Sequence, residues 1–391
     1  MSQNNASKQA NIAVIGAGWW SQGWHLPCLH NNPRVKLVGI VDTSEHPKSN
    51  LNPDLEPLKA LAEKYSTTAF SSSKDLLKAC GDELDGVIIC TPHSTHYAIG
   101  KEFIEESDRR SQTKEGNGRA LHILMEKPMT TDMTHAIKMV DMVSKQAGNS
   151  RFLVNHSANY RDQAKLARQA IVSGKIGTLR HVSADFSSPL KWIFEDSANK
   201  GWNEPSEAML GNGFAWGQSS HLLAWIYHVC PTLQPKKVFC RMNHSKATGA
   251  DVAHSATVEC ILDGEDGNKV TMNISGTSLL PGNAHSDPPV GKRLHITIYG
   301  SDGSLSFIGD DRDPSSGNLQ MYDVDGNMHI LHDRFEFENL DDDGLGPESL
   351  QNFVHLCYGN DDEVYDGADV RTGAKSIQTI DAMYRSDKLS E

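Results

Sequence analysis

The stretch Ile12-Ala-Val-Ile-Gly16-Ala-Gly18-Trp19-Trp20-Ser21 places a glycine-rich turn between an apolar run and a segment of helical pattern. Gly16 permits a tight turn, and Gly18 lets the backbone approach a pyrophosphate at the start of the next helix. Ser21 stands where a third glycine usually falls and keeps that position small. A turn that simply requires two glycines is the alternative, but the order of elements favours a Rossmann dinucleotide-binding turn. Its predicted cofactor contacts are Gly16, Gly18, Trp19 and Trp20.

A carboxylate ends the second apolar run. Asp42 follows Ser21 by about 20 residues, where Rossmann domains carry the acid that binds the adenosine ribose hydroxyls. The residues directly after Asp42 include no arginine that could pair with a 2′-phosphate. The sequence therefore predicts NAD as the cofactor, with Lys48 in the nearby loop leaving NADP as the alternative. A role for Asp42 in capping a turn also stays open.

Short apolar runs alternate with amphipathic stretches up to residue 128, a pattern typical of βαβ units around a parallel sheet. Helices are predicted at 58–65 and 96–106, and polar segments at 44–57 and 107–119 are expected to be exposed loops. The predicted strands are residues 12–15, 35–41, 87–90 and 121–125.

The pattern changes after residue 131, where a predicted helix at 135–146 leads to a strand at 152–154. Further strand-like runs, punctuated by Gly or Asp, predict an antiparallel meander; they are residues 237–241, 256–262, 270–275 and 294–299. The expected fold class is α/β, with an N-terminal Rossmann domain over 1–130. Residues 131–391 are expected to form an α+β domain for substrate binding and oligomerisation, built on a large, mostly antiparallel open sheet. The C-terminal helix is a candidate to pack back on the first domain.

Bulk composition excludes several classes of function. The net charge of -13 disfavours nucleic acid and anionic membrane as partners. No apolar run approaches the roughly 20 residues of a membrane helix, and the polar N-terminus resembles neither a signal nor a transit peptide. Seven cysteines without a CxxC pair predict buried free thiols in a reducing compartment. We therefore expect a cytoplasmic protein.

Two further motifs follow predicted strands: Thr91-Pro92-His93-Ser94-Thr95-His96 and Glu126-Lys127-Pro128. With them the chain resembles, over nearly its whole length, the glucose-fructose oxidoreductase and inositol dehydrogenase family, often called Gfo/Idh/MocA. The resemblance implies that Lys127 acts on the reacting carbinol oxygen beside the nicotinamide, positioned by Glu126 and a cis or otherwise fixed Pro128. An ammonium suits that place because it stabilises charge developing on oxygen. The implied cofactor contacts are Thr91, Pro92, His93, His96, Glu126 and Lys127, although the two histidines are equally consistent with packing at a helix start.

The family also carries an aspartate, three residues and then a histidine on a helix of the second domain. His221 matches the histidine, whereas Gly217 stands in place of the aspartate. We therefore expect His221 to transfer the proton with Lys127 and without a neighbouring carboxylate. Trp216 and Trp225 offer flat faces to a sugar ring, and a place in the core is as consistent with the sequence. Candidate substrate contacts are Tyr160, Arg161 and Gln218, with His156 as a further residue of the cleft.

The resemblance predicts an NAD-dependent oxidoreductase that acts on a CH–OH group of a sugar, a cyclitol or a related molecule. An NAD-dependent glycoside hydrolase, which oxidises its substrate transiently, is the alternative. A ligand sensor on the same fold is disfavoured because Lys127 is present. No Cys/His spacing indicates a metal site. The expected partners are a small sugar-like substrate and, through exposed sheet edges, a second or further copies in a homodimer or homotetramer.

Overall fold

The computed structural model describes residues 9–112, 119–146, 148–206, 208–264, 269–283, 290–338, 343–359 and 364–389. The polar N-terminal residues 1–8, residues 113–118 of the second predicted loop and residues 339–342 of an acidic segment lie outside these ranges. The described residues form two compact units. Unit 1 draws on Met1–Thr130, Thr134–Asn155 and Asn339–Val370, and unit 2 on Thr131–Met133, His156–Glu338 and Arg371–Glu391.

The described part of unit 1 is built on a six-stranded parallel sheet in the order β3-β2-β1-β4-β5-β6. Its central strands are buried on both faces, which explains their continuous apolar sequence. The chain order reverses beside β1, and this switch point is where open α/β sheets bind dinucleotides. The strands are β1 (Ala10–Ile15), β2 (Val35–Val41), β3 (Ala69–Phe70), β4 (Gly86–Ile89), β5 (His122–Met125) and β6 (Phe152–Val154).

The helices of unit 1 confirm most of the predicted pattern. They are α1 (Leu26–Asn31), α2 (Leu58–Lys64), α3 (Ser73–Cys80), α4 (His96–Gln112), α5 (Met133–Lys145) and α10 (Glu348–Tyr358). The predicted loop over 107–119 is wrong in its first part, since α4 continues to Gln112. Burial of Arg110 supports this extension: its guanidinium donates to the Leu84 carbonyl at 2.8 Å and pairs with Glu106 at 3.0 Å.

The predicted domain boundary lies at residue 130. In the structure, two segments beyond this residue belong to unit 1. Residues 134–155 belong to unit 1 because β6 pairs with β5. Residues 339–370 belong there too, because α10 buries Phe353 and Cys357 in the same core as β1. Of the two helices nearest the C-terminus, α10 packs on the Rossmann sheet, and the final helix, α11 (Val370–Lys388), lies almost entirely within unit 2.

The described residues of unit 2 form an eight-stranded sheet in the order β14-β13-β12-β11-β7-β10-β9-β8. Its ladders are antiparallel except for the parallel pair of β7 and β10, which confirms the large, mostly antiparallel sheet and corrects the simple meander. The strands are β7 (Leu179–Ser187), β8 (Leu233–His244), β9 (Asp251–Leu262), β10 (Lys269–Thr277), β11 (Arg293–Gly300), β12 (Ser304–Asp310), β13 (Asp313–Tyr322) and β14 (Met328–His332).

One face of this sheet carries the core of unit 2. The helices are α6 (Asp162–Val172), α7 (Lys191–Glu195), α8 (Lys200–Asn203), α9 (Ser220–Val229) and α11. Trp225 of α9 stacks on Phe307 of β12, with ring centroids 5.3 Å apart. Trp216 stacks on Tyr384 of α11 and, like Trp225, is almost fully buried, so both tryptophans belong to the core. Within the described ranges, no helix has the length and apolarity to cross a bilayer.

We expect Gly86→Ala to destabilise unit 1. An added methyl group would overlap Cys357 Sγ and come within 2.7 Å of the Phe353 ring, both on α10. Overpacking of this kind costs about 1–3 kcal/mol, so the urea midpoint of the unit should fall. Gly23→Ala adds the same group where no described atom lies within 4 Å and serves as the control. Equal midpoints for the two variants would contradict the packing of α10 on β4.

Candidate functional site

The glycine turn lies at the switch point of the parallel sheet. Gly16 has a φ of +100°, a conformation that favours glycine, and a Cβ there would overlap the carbonyl of Cys90. Ser21 Oγ donates to the Gly16 carbonyl at 2.6 Å, so the residue in the third glycine's place braces the turn. A Cβ on Gly18 would meet no described atom within 4 Å. This open cradle before a helical segment fits the pyrophosphate of a dinucleotide.

Asp42 ties the second strand to the glycine turn. One carboxylate oxygen accepts the Ala17 N–H at 2.8 Å, and the other accepts the Ser44 N–H at 2.8 Å. Each oxygen keeps acceptor capacity for a ribose hydroxyl, and the side chain is half-buried. The structure therefore shows the turn-stabilising role of Asp42, and its contact with ribose stays a prediction.

Glu126 connects three segments of unit 1 through one oxygen. Among the described residues, Oε1 accepts N–H groups from Trp20 at 3.0 Å, His25 at 2.8 Å and Asn155 at 2.7 Å. Burial raises the pKa of Glu126, but the bonds from His25 and Asn155 and the nearby charge of Lys127 outweigh it and lower the pKa to about 2. The carboxylate is thus ionised and holds the ends of β5 and β6 against the helix that follows the glycine turn.

Lys127 lies directly after this carboxylate, is half-buried and precedes Pro128 through a cis peptide bond. His96 connects the two motifs, because its ring nitrogens lie 2.8 Å from the Pro128 carbonyl and 2.9 Å from the Thr91 carbonyl. Burial lowers the pKa of His96, and its two carbonyl contacts oppose that shift. These contacts favour the packing role that the sequence left open for His96.

His93, Thr91 and Pro92 line the same strand ends. Burial, His96 and Lys127 lower the pKa of His93 to about 4, so its ring is neutral at pH 7. Thr91 Oγ1 accepts a hydrogen bond from Thr95 at 2.8 Å. The contacts of these residues with the cofactor stay predictions.

His25, Cys90 and Glu126 bring possible metal-ligating atoms within 4.8 Å of one another, although their spacing in the sequence does not indicate it. The donors on Glu126 already occupy the oxygen nearest His25. Burial also raises the pKa of the Cys90 thiol, so it stays protonated at neutral pH. In the structure, His25 and Glu126 of this cluster are joined by a hydrogen bond.

In unit 2, the candidate substrate residues lie on and around α9. The preceding turn, Ala215–Ser219, is held by the buried Asp251, which accepts the Ala215 N–H at 2.9 Å and the Tyr384 hydroxyl. Burial raises the pKa of Asp251 to about 6. Gly217 lies within this turn, and a Cβ there would be 3.1 Å from the Phe194 ring. The crowding explains why this position is small.

His221 is buried and lies near a carboxylate that sequence analysis did not find. Its Nδ1 is 3.3 Å from Oε1 of Glu338, and the other oxygen of Glu338 pairs with Lys292 Nζ. The expectation that His221 lacks a neighbouring carboxylate is therefore wrong. Glu338 is far away in the chain and follows β14 in an ordinary charged stretch, so no local motif could have marked it. The His156 ring also packs edge-on against His221, with centroids 5.6 Å apart.

The remaining predicted substrate residues differ in their exposure. Tyr160 and Arg161 are buried at the 3-10 turn Ser157–Tyr160, which Asn159 joins to α9 through a 3.1 Å bond to the Ala224 carbonyl. Gln218 is half-buried, and its Oε1 receives no hydrogen bond from the described residues. Gln218 is therefore the candidate that offers an acceptor to a ligand hydroxyl.

Family models match most of the chain. Residues 10–156 match the oxidoreductase family with an NAD-binding Rossmann fold, and residues 164–306 match the GFO/IDH/MocA C-terminal domain. The chain belongs to the Gfo/Idh/MocA family. The predicted family, the fold class and the NAD-binding character of the Rossmann domain are confirmed.

Solved structures of this Gfo/Idh/MocA fold cover nearly the whole chain. An inositol dehydrogenase homolog from Azotobacter vinelandii, complexed with NAD+, has a TM-score of 0.71 at 15% identity and covers 98% of this chain and 96% of its own. The WlbA dehydrogenase from Bordetella pertussis, in complex with NADH and UDP-GlcNAcA, has a TM-score of 0.64 at 20% identity and covers 98% of each chain. An Agrobacterium radiobacter oxidoreductase, with NAD+, L-tartaric acid and magnesium, has a TM-score of 0.66 at 14% identity and covers 98% of each chain.

No curated protein sequence matches the chain. At these identities the solved structures establish the fold and not the substrate. Family membership makes the protein an NAD-binding oxidoreductase.

We expect Glu126→Gln to lower the free energy of unfolding by about 1–3 kcal/mol at pH 7, because an amide cannot accept every N–H that the carboxylate accepts. The folded pKa of about 2 lies below the ordinary 4.5. The charged form therefore stabilises the fold above pH 4.5, and this contribution is lost as the pH falls toward 2. Urea denaturation between pH 7 and pH 3 should show the difference from wild type shrinking.

Glu63→Gln is the control for this experiment, since Glu63 is exposed on α2. Its unfolding free energy should follow wild type at every pH. If the unfolding free energy of Glu126→Gln differed from that of wild type by the same amount at every pH, an ionised Glu126 in the folded protein would be contradicted.

Proposed function

We propose that this protein is an NAD-dependent dehydrogenase or reductase that transfers hydride to or from a carbinol of a sugar, a cyclitol or a derivative of one. The observation that carries the proposal is Lys127, which is half-buried beside the dinucleotide cradle and follows the ionised Glu126 hub. A lysine held at the carboxyl end of a Rossmann strand suits chemistry at the nicotinamide better than a solvated surface role.

The chemistry needs one hydride and one proton to move. NAD, which the glycine turn and Asp42 would hold, would supply the redox chemistry as the acceptor of the hydride of the carbinol carbon in oxidation and as its donor in reduction. The carbinol oxygen loses its proton as the carbonyl forms, and we assign His221 as the proton acceptor. Lys127 donates a hydrogen bond to the same oxygen and stabilises the charge that develops there.

The substrate class rests on polar acceptors in unit 2 and on ligands bound to proteins of the same fold. Gln218 Oε1 has no described donor and suits a substrate hydroxyl. The Bordetella pertussis structure contains a nucleotide sugar acid, and the Agrobacterium radiobacter structure contains a hydroxy acid. Both ligands are rich in hydroxyl groups, which favours polyols and sugar derivatives here.

A panel of polyols, inositols and aldonic sugars with NAD, followed at the nicotinamide absorbance, tests the proposed activity. Accumulation of NADH with at least one compound is the expected result. Glycoside cleavage without net NADH would overturn it in favour of the hydrolase alternative.

We also propose that the protein forms a homodimer or homotetramer through the sheet of unit 2. The strand register places several exposed apolar side chains on its uncovered face, among them Tyr299, Ile308, Tyr322, Met328 and Ile330. Exposed apolar side chains on an uncovered sheet face favour association between copies of the chain. All seven cysteines lie in described ranges and are free thiols, which supports a reducing, cytoplasmic location.

We expect NAD to bind more tightly than NADP, because the Asp42 carboxylate would repel a 2′-phosphate. Calorimetric titration of wild type and Asp42→Ala with both cofactors checks this. The variant should lose overall affinity, since Ala17 loses its hydrogen bond, and the ratio between the two cofactors should narrow. Asp54→Ala, in the same loop and exposed, should keep the wild-type ratio. Tighter NADP binding by wild type would reverse the assignment.

Lys127→Met should cut turnover by orders of magnitude while NAD affinity stays within a few-fold, because only the transition state fully engages the ammonium. Steady-state kinetics and NAD titration separate the two effects. Lys138→Met, on the exposed face of α5, is the matched control and should turn over normally. Near-normal turnover by Lys127→Met would contradict a catalytic role for Lys127 and indicate that the Glu126-Lys127-Pro128 motif is only structural.

A further inference from the structure

We propose that Glu338 is the positioning residue for His221, directing the Nδ1–H of the imidazole toward itself so that Nε2 is the nitrogen that receives the substrate proton. The proposal rests on the proposed dehydrogenase function and adds a residue that the family motif does not contain. Glu338 supplies by tertiary contact the carboxylate that the helical motif lacks at Gly217.

A side chain at position 217 would be crowded. A Cβ on Gly217 would lie 3.1 Å from Phe194 Cζ and 3.4 Å from Trp202 Cε3, so the Phe194 ring would have to shift slightly to admit it. Gly217 itself offers no carboxylate, and the carboxylate that lies beside His221 comes from another segment.

Glu338 Oε1 lies 3.3 Å from His221 Nδ1, which is ion-pair distance, although the two atoms are not aligned as a hydrogen bond. The other oxygen, Oε2, pairs with Lys292 Nζ. The two oxygens thus face different partners, and the Glu338 side chain is only 2% exposed. A carboxylate beside one ring nitrogen selects the tautomer that carries the proton on that nitrogen, which leaves the other nitrogen as the base.

Charged groups surround the pair of His221 and Glu338. Burying an ionised carboxylate is costly unless it is paired, and Lys292 provides the pairing while its side chain remains 22% exposed. Asp311 fixes the backbone at this point by accepting the N–H groups of Phe337 at 2.9 Å and Glu338 at 3.2 Å. His156 packs edge-on against the His221 ring. Among the described residues, the charged and titratable groups shown to act on His221 include Glu338 directly, His156 by ring contact, and Lys292 and Asp311 through Glu338.

The test compares Glu338→Gln, which keeps the shape and removes the charge, with the matched control Glu336→Gln. Glu336 lies two residues away and pairs with Arg334 at 3.4 Å. In Glu338→Gln we expect kcat to fall about 10- to 100-fold, the range seen for residues that orient a functional histidine, with KM nearly unchanged. Removing an opposite charge should also move the acid limb of oxidation to lower pH by about one unit. Glu336→Gln should change neither.

A second readout does not require activity. In protein labelled with ¹⁵N-histidine, His221→Ala identifies the His221 signals, and their shifts report the tautomer and the titration midpoint. Wild type should carry the neutral proton on Nδ1, and Glu338→Gln should show a mixed tautomer with a midpoint lower by about one unit. Glu338→Asp retains the charge but has a shorter side chain, so its carboxylate lies farther from His221. Its titration midpoint should fall between those of wild type and Glu338→Gln, and it replaces the glutamine variant if that variant does not fold.

An unchanged tautomer and midpoint in Glu338→Gln would overturn the proposal, even if turnover fell, because Glu338 would then only support the fold. If Glu338→Gln loses the Nδ1 tautomer but wild type oxidises no compound of the panel, the interaction between Glu338 and His221 is supported and the dehydrogenase function is rejected. The two failures are therefore distinguishable.

Discussion

A single buried carboxylate organises the cofactor half of this protein. Glu126 ends β5, and its Oε1 draws in Trp20 and His25 from the helix after the glycine turn and Asn155 from the end of β6. Because the carboxylate remains ionised, every one of these bonds is charge-assisted and stronger than a neutral one. Lys127 is the next residue in the chain. The hydrogen bonds that fix Glu126 therefore also fix the backbone of the lysine that we propose as catalytic.

Unit 2 repeats this use of buried carboxylates around α9. Asp251 holds the turn that begins the helix, by accepting the Ala215 N–H and the Tyr384 hydroxyl. Glu338 faces His221 within that helix and is balanced by Lys292. Each carboxylate comes from a segment distant in sequence from α9. The helix is therefore positioned by polar contacts at its start and along its length, in addition to the apolar packing on the sheet.

Local sequence predicted most of the first unit because its signals are local. Continuous apolar runs mark doubly covered parallel strands, and the glycine turn and Asp42 have fixed spacing in a Rossmann fold. The second unit was predicted less completely. Strands β7, β12, β13 and β14 were missed, since each contains charged, polar or glycine residues that dilute the apolar pattern of a strand. The end of α4 was missed because a buried arginine there resembles a solvated loop residue.

The sequence by itself determined the family, the Rossmann cofactor domain, the class of the second sheet, and the candidacy of Lys127 and His221. These follow from motifs in which chemistry and backbone conformation are encoded within a few residues. Only the tertiary structure decided that α10 completes the first unit, that Trp216 and Trp225 are core residues, and that the carboxylate of Glu338 lies beside His221. Such contacts join segments separated by long stretches of chain, and no local pattern specifies which charged or apolar side chain will meet which.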